Sequence, residues 1–105
     1  MKNTNMKYFA KLICFTTALT ITNIAFADNL TDGIAKAEEC VSCHGPLGES
    51  ALDLWPNLAG QKQAYLIQQL RAFRDGNRFD PWMSPMATAL TDKDINDLAA
   101  FYSSL

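Results

Sequence analysis

Cys40-Val41-Ser42-Cys43-His44 constrains this chain more than any other stretch. C-x-x-C-H is the attachment signature of a c-type haem, and the chemistry needs that spacing. Two thiols one helical turn apart can each add across a vinyl group on one edge of a porphyrin. A histidine directly after the second thiol then lies under the ring, where its imidazole can bind the iron. At ordinary residue frequencies a chance match in a chain this short is on the order of one in a thousand, so coincidence explains it poorly. A structural zinc needs four protein ligands, a catalytic one three plus water, and beyond the motif the only further cysteine is Cys14. A thioredoxin-like pair would sit at a strand-to-helix junction in a βαβ pattern, and no strand-alternating run is present. A plain disulfide across two residues leaves His44 unexplained.

Residues 1–27 have the pattern of a secretory signal peptide. Lys2, Lys7 and Lys11 make a positive n-region, residues 12–26 are mostly apolar, and Ala25-Phe26-Ala27 fits a small-x-small cleavage site. The apolar run is interrupted by threonines and Asn23 and is shorter than the ~20 residues a spanning helix needs, so no stable membrane insertion of the mature chain is expected. Ile13 before Cys14 is not small, which argues against a lipoprotein, and Cys14 reads as filler of the apolar region. Cleavage leaves one domain, residues 28–105, with six basic against eleven acidic residues, a net charge of −5. That balance excludes nucleic acid as a partner. A domain this small buries little apolar surface and ordinarily needs a staple or a cofactor; a covalent haem is both. With the two remaining cysteines inside the motif, an oxidising compartment poses no stray-thiol problem.

The mature chain reads as helices joined by loops. Asn29 or Thr31 can cap a first helix running into Cys40, with Gly45 ending it. Residues 45–60, holding Pro46, Gly48 and Pro56, form a loop. A second helix spans Gln63–Asp75, with Leu66, Leu70 and Phe73 on one face and Gly76 as C-cap. Residues 77–86, with Pro81 and Pro85, read as irregular. Thr91 followed by Asp94 is a variant of the capping box, and Ile95, Leu98, Ala99 and Tyr102 then recur at helical spacing. The expectation is an all-α domain of three to four helices.

The motif near the mature N-terminus, Trp55-Pro56-Asn57-Leu58-Ala59-Gly60-Gln61, Met83-Ser84-Pro85-Met86 and the ending Asp94-Ile95-Asn96-Asp97-Leu98-Ala99-Ala100-Phe101-Tyr102 carry a resemblance. Over residues 30–105 the chain resembles the bacterial class I cytochromes c, above all the small single-haem members and single halves of the di-haem cytochromes called c-four. The resemblance implies a class I cytochrome c fold around one haem c attached through Cys40 and Cys43. In that fold the terminal helices cross beside the haem and a Met from a late loop takes the sixth position. It places Gly33 at the helix crossing, where a small residue lets Phe101 or Tyr102 approach. It also places Pro56 where a backbone carbonyl accepts from the second nitrogen of the proximal His44, a bond that fixes the ring. By position relative to the last helix, the resemblance to the c-four halves implies Met83 as the distal ligand, leaving Met86 as a packing side chain. Trp55 and Trp82 are expected to pack on the haem or in the core; Tyr65 and Arg78 could reach a haem propionate, though Arg78 could equally be a solvated charge.

These implications converge on a periplasmic single-electron carrier, not itself an enzyme. With His44 and Met83 both bound, the iron keeps no position for substrate. Its partners would be redox proteins, a periplasmic reductase on one side and an oxidase or peroxidase on the other. Two alternatives stand beside this. One is an electron-transfer subunit of a multi-component oxidoreductase. The other is a small-gas-binding haem protein with an open distal site; the cytochromes c-prime do this, but as four-helix bundles with the motif near the C-terminus.

Overall fold

The computed structural model describes residues 22–105; the greater part of the signal-peptide reading, residues 1–21, lies outside the described residues. Five helical elements follow one another: α1 (Thr22–Ala37), α2 (Val41–His44), α3 (Gln63–Asp75), α4 (Met83–Ala87) and α5 (Asp92–Ser103). No strand occurs among the described residues. The all-α expectation holds, with two single-turn helices added to the three long ones.

Two boundaries differ from the sequence expectation. The first helix does not begin at Asn29 or Thr31; both lie inside α1, which is already helical at Thr22. A cap residue starts a helix only where the residues before it leave the helical region, and Ile24-Ala25-Phe26-Ala27 carries no breaker. Nor does that helix run through the motif. It ends at Ala37, where bonds from the Glu38 N–H to the Ala35 carbonyl (3.4 Å) and from the Cys40 N–H to the Ala37 carbonyl (2.8 Å) tighten the chain into a turn. The motif then starts afresh as α2.

The core lies where α5 meets α1 and α3. Ala37, Leu66, Leu98, Ala99, Phe101 and Tyr102 form one buried cluster, with Leu30, Leu58, Ile67, Leu70 and Leu90 packed on its margin. Gly33 is the crossing point anticipated from the resemblance: a Cβ there would strike the Asp97 carbonyl and crowd the Phe101 Cβ. Beside the crossing, Lys93 on α5 donates to Asp97 (2.6 Å) and to Asp32 on α1, and those carboxylates, Asp32 foremost, hold the lysine in its charged form.

The start of α5 is a complete capping box. The Thr91 hydroxyl accepts from the Asp94 N–H (3.1 Å), and the Asp94 carboxylate accepts from the Thr91 N–H (2.9 Å). That backbone bond is the main reason the Asp94 carboxyl sits below the usual carboxylate range. At the far end of α3, Gly76 takes a left-handed conformation (φ 83°, ψ 9°), which costs glycine nothing.

Candidate functional site

The motif occupies a single helical turn. The His44 and Gly45 N–H groups donate to the Cys40 and Val41 carbonyls (3.0 and 2.9 Å), so Cys40, Cys43 and His44 are carried on one rigid unit. Gly45 stops that turn (φ 81°, ψ 160°), and a side chain there would collide with the Glu49 carbonyl of the returning loop. The loop is tied back to the motif where the Ser50 hydroxyl donates to the Cys43 carbonyl (3.0 Å). It is tied to α5 where the Gly60 N–H donates to the Tyr102 carbonyl (2.9 Å). Cys40 and Cys43 are half-buried and not joined to each other. Burial pushes the Cys40 thiol up, with the neighbouring Tyr102 hydroxyl pulling the other way. Tyr102 is itself pushed up by burial, and its hydroxyl finds no hydrogen bond of ordinary geometry.

His44 is buried, and its Nδ1 lies 2.8 Å from the Pro56 carbonyl. A carbonyl can only accept, so Nδ1 carries the proton and Nε2 is left with its lone pair. The contact anticipated for Pro56 is therefore present.

Residues 77–86, read from the sequence as irregular, hold an ordered turn. The Asp80 carboxylate accepts from the Trp82 and Met83 N–H groups, both at 2.8 Å, and those bonds, Met83's foremost, draw its carboxyl below the usual range. The Ser84 hydroxyl accepts from the Asp80 N–H (3.0 Å), while the Ser84 N–H returns to the Asp80 carbonyl (3.0 Å). Pro81 lies in the turn just before α4, where its missing N–H interrupts no helical bond. Asp80-Pro81 was thus a legible start signal, obscured by counting Pro81 and Pro85 only as breakers. The result is α4, with Met83 half-buried at its start and Met86 47% exposed.

Trp55, next to Pro56, and Trp82, next to Met83, meet edge to face with ring centroids 5.8 Å apart and planes at 88°. Neither is a core residue, since Trp82 is 63% exposed and Trp55 half-buried. Their contact joins the loop that orients His44 to the turn that carries Met83. Arg78 is not a loose surface charge: its guanidinium lies over the Phe73 ring (4.5 Å to the centroid) and donates to Gln69 (2.7 Å). Tyr65 is exposed on α3.

The donor set fits a covalently tethered iron porphyrin. Two thiols separate from each other share one turn with an imidazole whose Nδ1–H is committed and whose Nε2 is available. No cluster of three or more His, Cys, Asp or Glu side chains suited to a bare metal ion occurs among the described residues.

The family model described as "Cytochrome c" matches residues 32–105. The chain belongs to the cytochrome c family. It is 47% identical over 73 residues to cytochrome c4 of Thiocapsa roseopersicina, covering 69% of this chain and 38% of that protein. It is 43% identical over 81 residues to cytochrome c-554(548) of Halomonas halodenitrificans, covering 74% of this chain and 98% of that one. Among solved structures, cytochrome c4 of Acidithiobacillus ferrooxidans superposes with a TM-score of 0.69 at 36% identity, over 73% of this chain and 49% of that chain. The chain thus spans half or less of the cytochrome c4 proteins it matches and nearly all of the smaller cytochrome. The class I cytochrome c fold is established by these matches, and so is the cofactor: a haem c attached through Cys40 and Cys43.

Proposed function

We propose that this protein is a periplasmic one-electron carrier, with His44 and Met83 as the axial ligands of its haem and with residues 1–27 removed on export. The observation that carries the reading is the 2.8 Å contact between His44 Nδ1 and the Pro56 carbonyl. It leaves Nε2 as a preset donor on the same turn as both cysteines, with the ring orientation fixed by the carbonyl. The bound haem supplies a one-electron couple at its iron. The chain's own residues hold it at two thioethers and orient the proximal imidazole. Met83, at the head of α4, is taken as the second ligand on the resemblance, by its position relative to α5. Held by the His44 imidazole and the Met83 thioether together, the iron would have a raised reduction potential and no open position for substrate, which is why no catalytic step is assigned.

Partners are redox proteins that dock beside the motif. Leu47, Leu52 and Leu54 are exposed on the loop after it, 61–73% accessible, interspersed with exposed Glu49 and Asp53. Contact there is mainly apolar, and the net negative charge of residues 28–105 favours partners with a basic face. No helix among the described residues is long and apolar enough to cross a membrane. The reading is tested by stopped-flow oxidation with a purified periplasmic-facing oxidase or peroxidase, run beside carbon monoxide binding to the ferrous protein. Fast electron transfer with weak, slow carbon monoxide binding is expected. Tight, rapid carbon monoxide binding with sluggish transfer to every redox protein tried would replace the carrier with a gas-binding protein.

A further inference from the structure

The turn that presents Met83 is held at more points than a surface connection of its length requires. Asp80 spends its carboxylate on the Trp82 and Met83 N–H groups at 2.8 Å each, its N–H on the Ser84 hydroxyl and its carbonyl on the Ser84 N–H. Upstream, the Arg78 N–H closes onto the Ala72 carbonyl of α3 (3.0 Å), so the segment entering the turn is fixed to that helix. Downstream, the Trp82 indole abuts Trp55. The side chain of Met83 therefore leaves a backbone whose orientation is set chiefly by one carboxylate. A thioether is a weak, neutral ligand on a flexible side chain, and its share of the bound state depends on how little it must reorganise to reach the metal.

We propose that Asp80 is the positioning residue for the distal ligand: its bonds to the Trp82 and Met83 N–H groups fix the first turn of α4 and so keep the Met83 thioether on the iron. This rests on the reading of Met83 as that ligand. Asp80 acts through the backbone of Trp82 and Met83, and its effect is on the balance between the Met83-on and Met83-off states. Loss of a helix cap shifts such a balance about fivefold, and an added ligand that competes for the same iron position reads that shift directly.

The test is an imidazole titration of the ferric holoprotein, followed by the loss of its iron–thioether charge-transfer band. Asp80→Ala should bind imidazole about fivefold more tightly than the unaltered protein. Asp80→Asn, whose side-chain oxygen can still accept, should stay close to the unaltered protein. Asp94→Ala removes the capping-box carboxylate of α5, which bonds no N–H group of the Met83 turn, and should lower the melting temperature with imidazole affinity unchanged. An unchanged affinity in Asp80→Ala, or an equal rise in Asp94→Ala, overturns the proposal. Should Asp80→Ala fail to yield holoprotein, Asp80→Glu, whose extra methylene moves the carboxylate away from the Trp82 and Met83 N–H groups, is titrated instead: tighter imidazole binding supports the proposal and an unchanged affinity overturns it. Met83→Ala separates the two readings. If the band survives in it, the assignment of Met83 has failed; if the band is lost there but Asp80→Ala behaves as the unaltered protein, only the role of Asp80 has failed.

Discussion

At His44 the two ring nitrogens have separate tasks. Nδ1–H is spent on the Pro56 carbonyl and Nε2 is free to donate, so the residue is both positioned and chemically available. His44→Ala should therefore retain covalent haem through Cys40 and Cys43 but lose the low-spin iron spectrum, whereas Cys40→Ala or Cys43→Ala should each release part of the haem under denaturing extraction. Absorption spectra and intact mass of the three variants check this. The two cysteines and the histidine were legible because their chemistry depends on sequence spacing alone. The role of Pro56 came only through resemblance, since a backbone carbonyl leaves no trace in the identity of its residue. Asp80 was missed because Pro81 and Pro85 read as breakers, which hid the start signal that an aspartate before a proline gives.

The helices divide by where their stability originates. α3 and α5 were legible to within a residue because apolar periodicity, a capping box and a C-terminal glycine all agree. The start of α1 and the break before α2 were not, because they follow from what the flanking residues permit and from i→i+3 tightening, neither of which has a marker residue. Thr91→Ala should cost about 1 kcal/mol by removing the hydroxyl half of the box, a fall in melting temperature of roughly 4–8 °C for a domain of this size. The other half depends on pH. Because the Asp94 carboxyl is held below its unfolded value, its contribution is complete above the ordinary carboxylate pKa of about 4 and fades as pH falls through the folded value. Melting temperature against pH should therefore drop less steeply in acid for Asp94→Asn than for the unaltered protein. At the α1–α5 crossing, Gly33→Ala must part the helices, because the new Cβ meets the Asp97 backbone; a loss of about 1–3 kcal/mol is expected, read by chemical denaturation.

For the molecule as a whole, the small buried cluster between α1, α3 and α5 is a thin core for a domain of this length. The apo chain should accordingly be largely unfolded, with haem attachment acting as a staple and ligation as a stabiliser of the native state. Circular dichroism of apoprotein with native-like helix and a cooperative melt would contradict this. Net charge acts at the same scale: association with a basic redox partner should slow as ionic strength rises, since exposed charges are screened over about 10 Å at 0.1 M salt. Mass spectrometry of the periplasmic fraction should give a haem-loaded chain beginning at Asp28, and a mass retaining residues 1–27 would exclude cleavage there.

A closed iron with one imidazole and one thioether is tested most directly by the charge-transfer band of the ferric iron–thioether bond in Met83→Ala and Met86→Ala. The band should vanish in Met83→Ala and persist in Met86→Ala. A band that survives the loss of Met83 and vanishes with Met86 would move the ligand to the second methionine. Its absence from the unaltered protein would contradict the closed site altogether.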